Sequence, residues 1–119
     1  NALVEINPED ARALGIEDGQ WVRIENSFGS SIQKAKVAST VRKGQVMAHH
    51  GWWYPEEDGP APNLFGVWRS NINTLVPNHY NNPLGYCAPY KCMNCNIVPL
   101  SENYDVDIKA HWDKFGKLV

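Results

Sequence analysis

Five consecutive residues, His49-His50-Gly51-Trp52-Trp53, bring two imidazoles, a glycine and two indoles together. Adjacent histidines on a strand face opposite sides, so the pair cannot grip one metal without distortion. Gly51 permits close backbone approach, and an indole can cover an apolar face. The competing use of Trp52 and Trp53 is to fill the core. A second set is Asn71 and Asn73 in Arg69-Ser70-Asn71-Ile72-Asn73. An asparagine amide carries two donors and one acceptor, which complement the edge of an amino-pyrimidinone ring. On extended backbone residues 71 and 73 point the same way and could share a contact. Turn formation is the alternative, and it suits Asn71 better.

Cys87, Cys92 and Cys95 form a C-x4-C-x2-C pattern that resembles half of a zinc or iron–sulfur site. The fourth ligand is missing, since neither His79 nor His111 stands at a diagnostic spacing. Three cysteines do not complete a disulfide framework either, which leaves reduced, partly buried thiols as the other reading. The serines are scattered and none sits in a nucleophile-elbow context. No phosphate-loop or dinucleotide fingerprint appears among the glycines.

The elements that must position these residues are legible upstream. Asn7-Pro8-Glu9-Asp10 reads as a helix start, with Asn7 as cap, Pro8 at the first helical position and two acids at the positive end. Gly15 closes the helix after Leu14. Trp21 to Glu25 reads as a half-buried strand, and Asn26-Ser27-Phe28-Gly29-Ser30 reverses the chain into a hairpin. In the return strand Lys34 and Lys36 point one way, Ala35 and Val37 the other. A turn at Arg42-Lys43-Gly44 leads into a further strand, Gln45 to Trp53. Glu56 to Pro62 reads as an exposed loop. From about 77 to 95 an irregular tract runs past Pro77, Asn78, Asn81, Asn82 and Pro83; its aromatic content is unlike a disordered linker and suits a binding surface. Asn96 to Leu100 reads as a closing strand, and Ala110 to Phe115 as a brief terminal helix. Many short strands, one clear helix and no repeated βα units imply a small, mainly β barrel with short helices.

At 119 residues, with 43% apolar side chains, the chain suits a single domain, 1–119. It begins at Asn1 without a methionine and reads as an excised domain of a larger protein. Nothing in it reads as a targeting signal, so the compartment, periplasm or cytoplasm, stays open, and no apolar run approaches a membrane span. A formal net charge of −2 with interspersed signs argues against a nucleic-acid partner.

The ordered set of A-x-x-L-G-I-x-D-G-x-W-V, the hairpin, H-G-W-W and N-I-N-x-L resembles the C-terminal molybdopterin-dinucleotide-binding domain of the dimethyl-sulfoxide-reductase family. Within it the chain is most similar to polysulfide and thiosulfate reductase-like members. The resemblance covers about residues 3 to 100. It implies a double-psi β-barrel and binding of molybdopterin guanine dinucleotide, whose dithiolenes hold molybdenum or tungsten. It further implies that His50, Gly51 and Trp52 lie beside the pterin, that Asn73 approaches the cofactor, and that Lys91, with Tyr90 before it, faces the cofactor phosphates. An iron–sulfur cluster, where present, would lie in upstream domains, as would the metal ligand, so no catalytic residue is assigned here and the fragment alone should be inactive. The implied partners are the remaining domains of the parent enzyme, and iron–sulfur and membrane-anchor subunits of a holoenzyme, with no direct membrane contact from this domain. The cysteines depart from the family pattern. Two other classes of function compete: a small β-barrel protein-interaction module, and a metal-binding module built on the cysteines.

Overall fold

The computed structural model describes residues 1–52, 57, 59–77 and 93–105. In chain order the elements are β1 (Leu3–Ile6), α1 (Pro8–Leu14), β2 (Trp21–Glu25), β3 (Ser30–Val37), β4 (Val46–Ala48), α2 (Val67–Ser70) and β5 (Asn96–Pro99). Two 3-10 turns, Leu64–Gly66 and Ile72–Leu75, flank α2. The described strands form one sheet in the order β4-β1-β3-β2-β5. Its single parallel pairing, β1 on β3, sits inside otherwise antiparallel neighbours.

α1 forms as its sequence demands. The Asn7 side chain accepts a hydrogen bond from the Glu9 N–H at 2.9 Å, Pro8 begins the helix, and Gly15 ends it at φ 69°. Such a left-handed φ is close to costless only for a residue without Cβ. Asn7 does more than cap, since its amide donates to the Val41 carbonyl at 2.8 Å and ties the helix start to the loop before β4.

The core follows from strand alternation. Val4 and Ile6 of β1, Val22 and Ile24 of β2 and Ala35 of β3 join Ala11, Ile16 and Leu75 in one apolar cluster. The opposite face of the hairpin is wetter. There Lys36 pairs with Glu5 at 3.1 Å and Arg23 with Glu25 at 2.7 Å. Trp21 is the exception, buried beneath the segment that leaves β5. Its indole N–H donates to Asn103 and Asp105, each at 3.2 Å, and Tyr104 stands edge-on at 5.6 Å.

The expected helix, hairpin and closing strand are present, whereas the strand after the Arg42-Lys43-Gly44 turn needs correction. The strand expected to run from Gln45 to Trp53 covers only Val46–Ala48. Its ladder ends because the Leu3 N–H donates to the His49 ring Nδ1 at 3.2 Å while the His49 carbonyl accepts from Gln33. Of the two readings left open at 71–73, the structure takes the turn rather than extended backbone. Asn71 caps the 3-10 turn Ile72–Leu75, its side chain accepting from the Asn73 N–H at 3.0 Å, so the two asparagines do not project as strand neighbours. The described strands make an open sheet with β4 and β5 at its edges; among the described residues no pairing closes it into the barrel that the resemblance implied. Trp53 and the terminal helix expected at 110–115 lie outside the described residues.

Candidate functional site

Two strips of backbone carry the candidate residues. The first leaves β4 and runs through His49, His50, Gly51 and Trp52. Gly51 sits at φ 68°, and a Cβ built there would meet nothing within 4 Å, so the backbone is open to close approach. The His49 and Trp52 rings lie 6.3 Å apart and tilted by 31°, with Trp52 half-buried and His50 exposed. The second strip is α2 with the 3-10 turn after it, from Val67 to Leu75. Asn73 is exposed, and its side-chain amide has no hydrogen-bond partner among the described residues. Its donors and acceptor are therefore free for a ligand.

Each strip is anchored by specific contacts. The tip of the β2–β3 hairpin holds the 3-10 turn: the Asn26 amide donates to the Leu75 carbonyl at 2.9 Å, and the Thr74 hydroxyl donates to the Ser30 carbonyl at 2.8 Å. Asn26 also shapes the tip itself, accepting from the N–H groups of Phe28 and Gly29. A Cβ at Gly29 would run into the Thr74 carbonyl, so the close approach of hairpin and turn requires glycine there. From the outside, Arg69 pairs with Glu57 and lays its guanidinium 5.8 Å from the centre of the Tyr104 ring.

The strips are also tied to each other. The Ser70 hydroxyl donates to the Trp52 carbonyl at 3.4 Å. Beneath them Gln33, fully buried in β3, donates to the His49 carbonyl at 2.8 Å. Sequence reasoning missed Gln33, Ser70 and Thr74. A signal for Gln33 existed, since it shares strand parity with Ala35, and a polar residue in an inward row stands out. No comparable signal marks Ser70 or Thr74, whose partners lie 18 and 44 residues away.

Of the residues expected to meet a cofactor, His50, Gly51 and Trp52 share the first strip and Asn73 stands on the second. Tyr90 and Lys91 lie outside the described residues, as do Cys87, Cys92, His79 and His111. Cys95 is half-buried, and burial pushes its thiol above the usual range. Among the described residues no group of three or more His, Cys, Asp or Glu is placed to hold a metal. No helix among them is long and apolar enough to cross a membrane.

The described surface also holds a groove of 890 Å³ between α1, the start of β4 and the approach to β5, lined by residues such as Asp10, Leu14, Gly44, Val46 and Cys95. His50, Gly51, Trp52 and Asn73 do not line it. Its volume suits a ligand and the Gln45, Asn94 and Asn96 amides lie on it, but its described lining holds no aromatic ring to cover a flat heterocycle, so chemistry favours the two strips.

The family described as "Molydopterin dinucleotide binding domain" matches residues 1–93. Biotin sulfoxide reductase of Cereibacter sphaeroides is 31% identical over 117 residues, 98% of this chain and 14% of that protein. Dopamine dehydroxylase of Eggerthella lenta is 35% identical over 80 residues, 67% of this chain and 8% of that protein. The dimethyl sulfoxide/trimethylamine N-oxide reductase of Rhodobacter capsulatus is 39% identical over 70 residues, 59% of this chain and 8% of its own length. Among solved structures, acetylene hydratase from Pelobacter acetylenicus superposes with a TM-score of 0.61 at 24% identity, over 65% of this chain and 11% of that one, which speaks to the fold alone. The chain thus spans less than a sixth of the length of these relatives.

Proposed function

Because the chain belongs to the molybdopterin-dinucleotide-binding domain family of dimethyl-sulfoxide-reductase-type molybdoenzymes, we propose that it meets its cofactor, molybdopterin guanine dinucleotide, along the strips His50-Gly51-Trp52 and Asn71 to Asn73. The observation that carries this reading is the Ser70 to Trp52 hydrogen bond, which holds the two strips side by side. The residues fit the group. Asn73 has a free amide for the amino-pyrimidinone edge of a guanine or pterin, Gly51 leaves its backbone open, and the Trp52 indole offers a flat apolar face. Tyr90 and Lys91 stay within the proposal on sequence grounds, Lys91 as a counter-charge for the cofactor phosphates.

When bound, the cofactor supplies a dithiolene-held molybdenum or tungsten for two-electron chemistry, and the protein supplies binding, orientation and electrostatics. The chain's own residues perform the second part. Asn73 orients the ring edge through its amide. Trp52 excludes water from one ring face. The hairpin tip, through Asn26 and Thr74, keeps Asn73 at a constant height above the sheet. No residue of this domain is proposed to act on substrate.

The same reading covers the whole protein and the finer fold. By analogy with relatives named for sulfoxide and N-oxide reduction, the parent is an oxidoreductase of small oxidised substrates. Its other domains, together with electron-transfer subunits, are its partners. The parallel β1–β3 pair inside an antiparallel sheet supports a double-psi barrel as the complete fold.

The test is titration of the chain with a guanine nucleotide, followed residue by residue by NMR. Shifts at His50, Gly51, Trp52 and Asn73 that disappear in Asn73→Ala are the expected result. Shifts confined to the groove around Asp10, Leu14 and Cys95 would overturn the placement.

A further inference from the structure

Gln33 occupies the middle of β3, with β1 and β2 on either side, and is 0% exposed. Strand alternation puts it on the face of Ala35 and Ser31, in a row that otherwise feeds the apolar cluster. Burying a primary amide is unfavourable unless its groups are matched. Both hydrogens of its Nε2 have an acceptor, the His49 carbonyl at 2.8 Å and, at the long limit of a hydrogen bond, the Ser70 carbonyl at 3.5 Å. Its Oε1 has no partner among the described residues, and neither does the Ser31 hydroxyl. Methionine, an apolar side chain of similar length, would fill the same space without an orphaned acceptor, so packing does not account for an amide at this position.

The two acceptors identify what the amide does. His49 immediately precedes His50-Gly51-Trp52, and Ser70 immediately precedes the capping Asn71 and the turn that bears Asn73. One side chain on the central, doubly paired strand therefore references both strips to the same rigid point. We propose that Gln33 is a positioning residue that sets the spacing of the two strips, a role that rests on their reading as the cofactor contact. The Ser70 hydroxyl, donating to the Trp52 carbonyl, is the second and weaker tie between them. Gln33 itself, being wholly buried, acts through the strips it holds.

The experiment uses the full-length enzyme that carries this domain, purified with its cofactor, with two readouts: the rate of cofactor release after dilution, followed by the fluorescence of the oxidised pterin, and the thermal midpoint of the cofactor-free protein. Gln33→Met is expected to release the cofactor about tenfold faster, and Ser70→Ala about two- to threefold faster. Ile24→Val, in the apolar cluster, serves as the stability-matched control and is expected to lower the midpoint as much without changing release. Trp52→Ala and Asn73→Ala test the contact reading directly. If they speed release while Gln33→Met and Ser70→Ala release no faster than Ile24→Val, the contact reading stands and the positioning role falls. If Trp52→Ala and Asn73→Ala leave release unchanged, the contact reading falls and takes this inference with it. Should Gln33→Met fail to fold, Gln33→Leu, which likewise fills the space without a donor, decides between the same outcomes.

Discussion

One face of β3 serves two different neighbourhoods. At Ala35 it joins an apolar cluster with Val4, Ile6, Val22 and Ile24, where packing is non-directional and many arrangements of similar volume would do. At Gln33 and Ser31, two and four residues earlier, the same face is polar, and together with Ser70 it makes the set of buried polar side chains among the described residues. Here each contact has a direction and a length. The apolar part stabilises the sheet, and the polar part places loops. A candidate site built from loops needs the second kind of contact, because hydrophobic burial alone does not specify where a carbonyl or an amide must point.

That contrast can be broken by substitution. Ile24→Ala should be the most damaging change, costing about 2–5 kcal/mol in urea unfolding because it removes buried methyls and leaves a cavity; a loss below half that figure would mean the cluster is loosely packed. Gln33→Ala should cost about 1–3 kcal/mol, by leaving the His49 and Ser70 carbonyls without their donor. Unlike Ile24→Ala, it should also broaden or shift the amide resonances of residues 49–52 and 70–75 selectively. Gly29→Ala should cost about 1–3 kcal/mol by forcing the hairpin tip away from Thr74, with loss of protection against exchange centred on Ile72 to Val76. Asn7→Ala should cost about 1 kcal/mol and leave guanine-nucleotide titration shifts unaltered, since α1 belongs to the apolar part.

The smallest expected effect is electrostatic. The Asp105 carboxyl is held below its usual range, chiefly by the hydrogen bond from the Lys34 ammonium, against the opposing effect of burial, and further by Trp21 and Asn103. A depressed carboxylate contributes stability above its unfolded-state pKa and loses it as pH falls through the folded value. Acidification through and below the ordinary carboxylate range should therefore loosen the segment over Trp21, seen as a change in indole fluorescence. Asp105→Asn should flatten that response, and added salt should weaken it in the wild type because the pair is partly exposed.

Much of the fold could be read from local chemistry. Asn7-Pro8 and Gly15 bracket α1, alternation from Trp21 to Val37 marks the hairpin, and Asn96 onward returns as β5, because capping, backbone permissiveness and period-two burial act within a few residues. The same local rules misjudged β4 past Ala48, where the stop comes from a ring nitrogen of His49 meeting an N–H of β1, 46 residues earlier. They also left 71–73 open between strand and turn, and the capping side chain of Asn71 chose the turn.

The candidate site divides in the same way. Residue chemistry together with the family resemblance nominated His50, Gly51, Trp52 and Asn73, since a glycine, a ring and an amide keep their chemistry in any context and the motif order places them. The order A-x-x-L-G-I-x-D-G-x-W-V, H-G-W-W and N-I-N-x-L was enough to point to the family that the comparisons identify. Only the tertiary structure decided that a buried glutamine of β3 lies under both strips, that Ser70 reaches Trp52, and that the hairpin tip carries Asn73. Those contacts join residues 16 to 49 positions apart. Their formation depends on how the sheet is ordered and packed, and no local pattern of residues encodes that order.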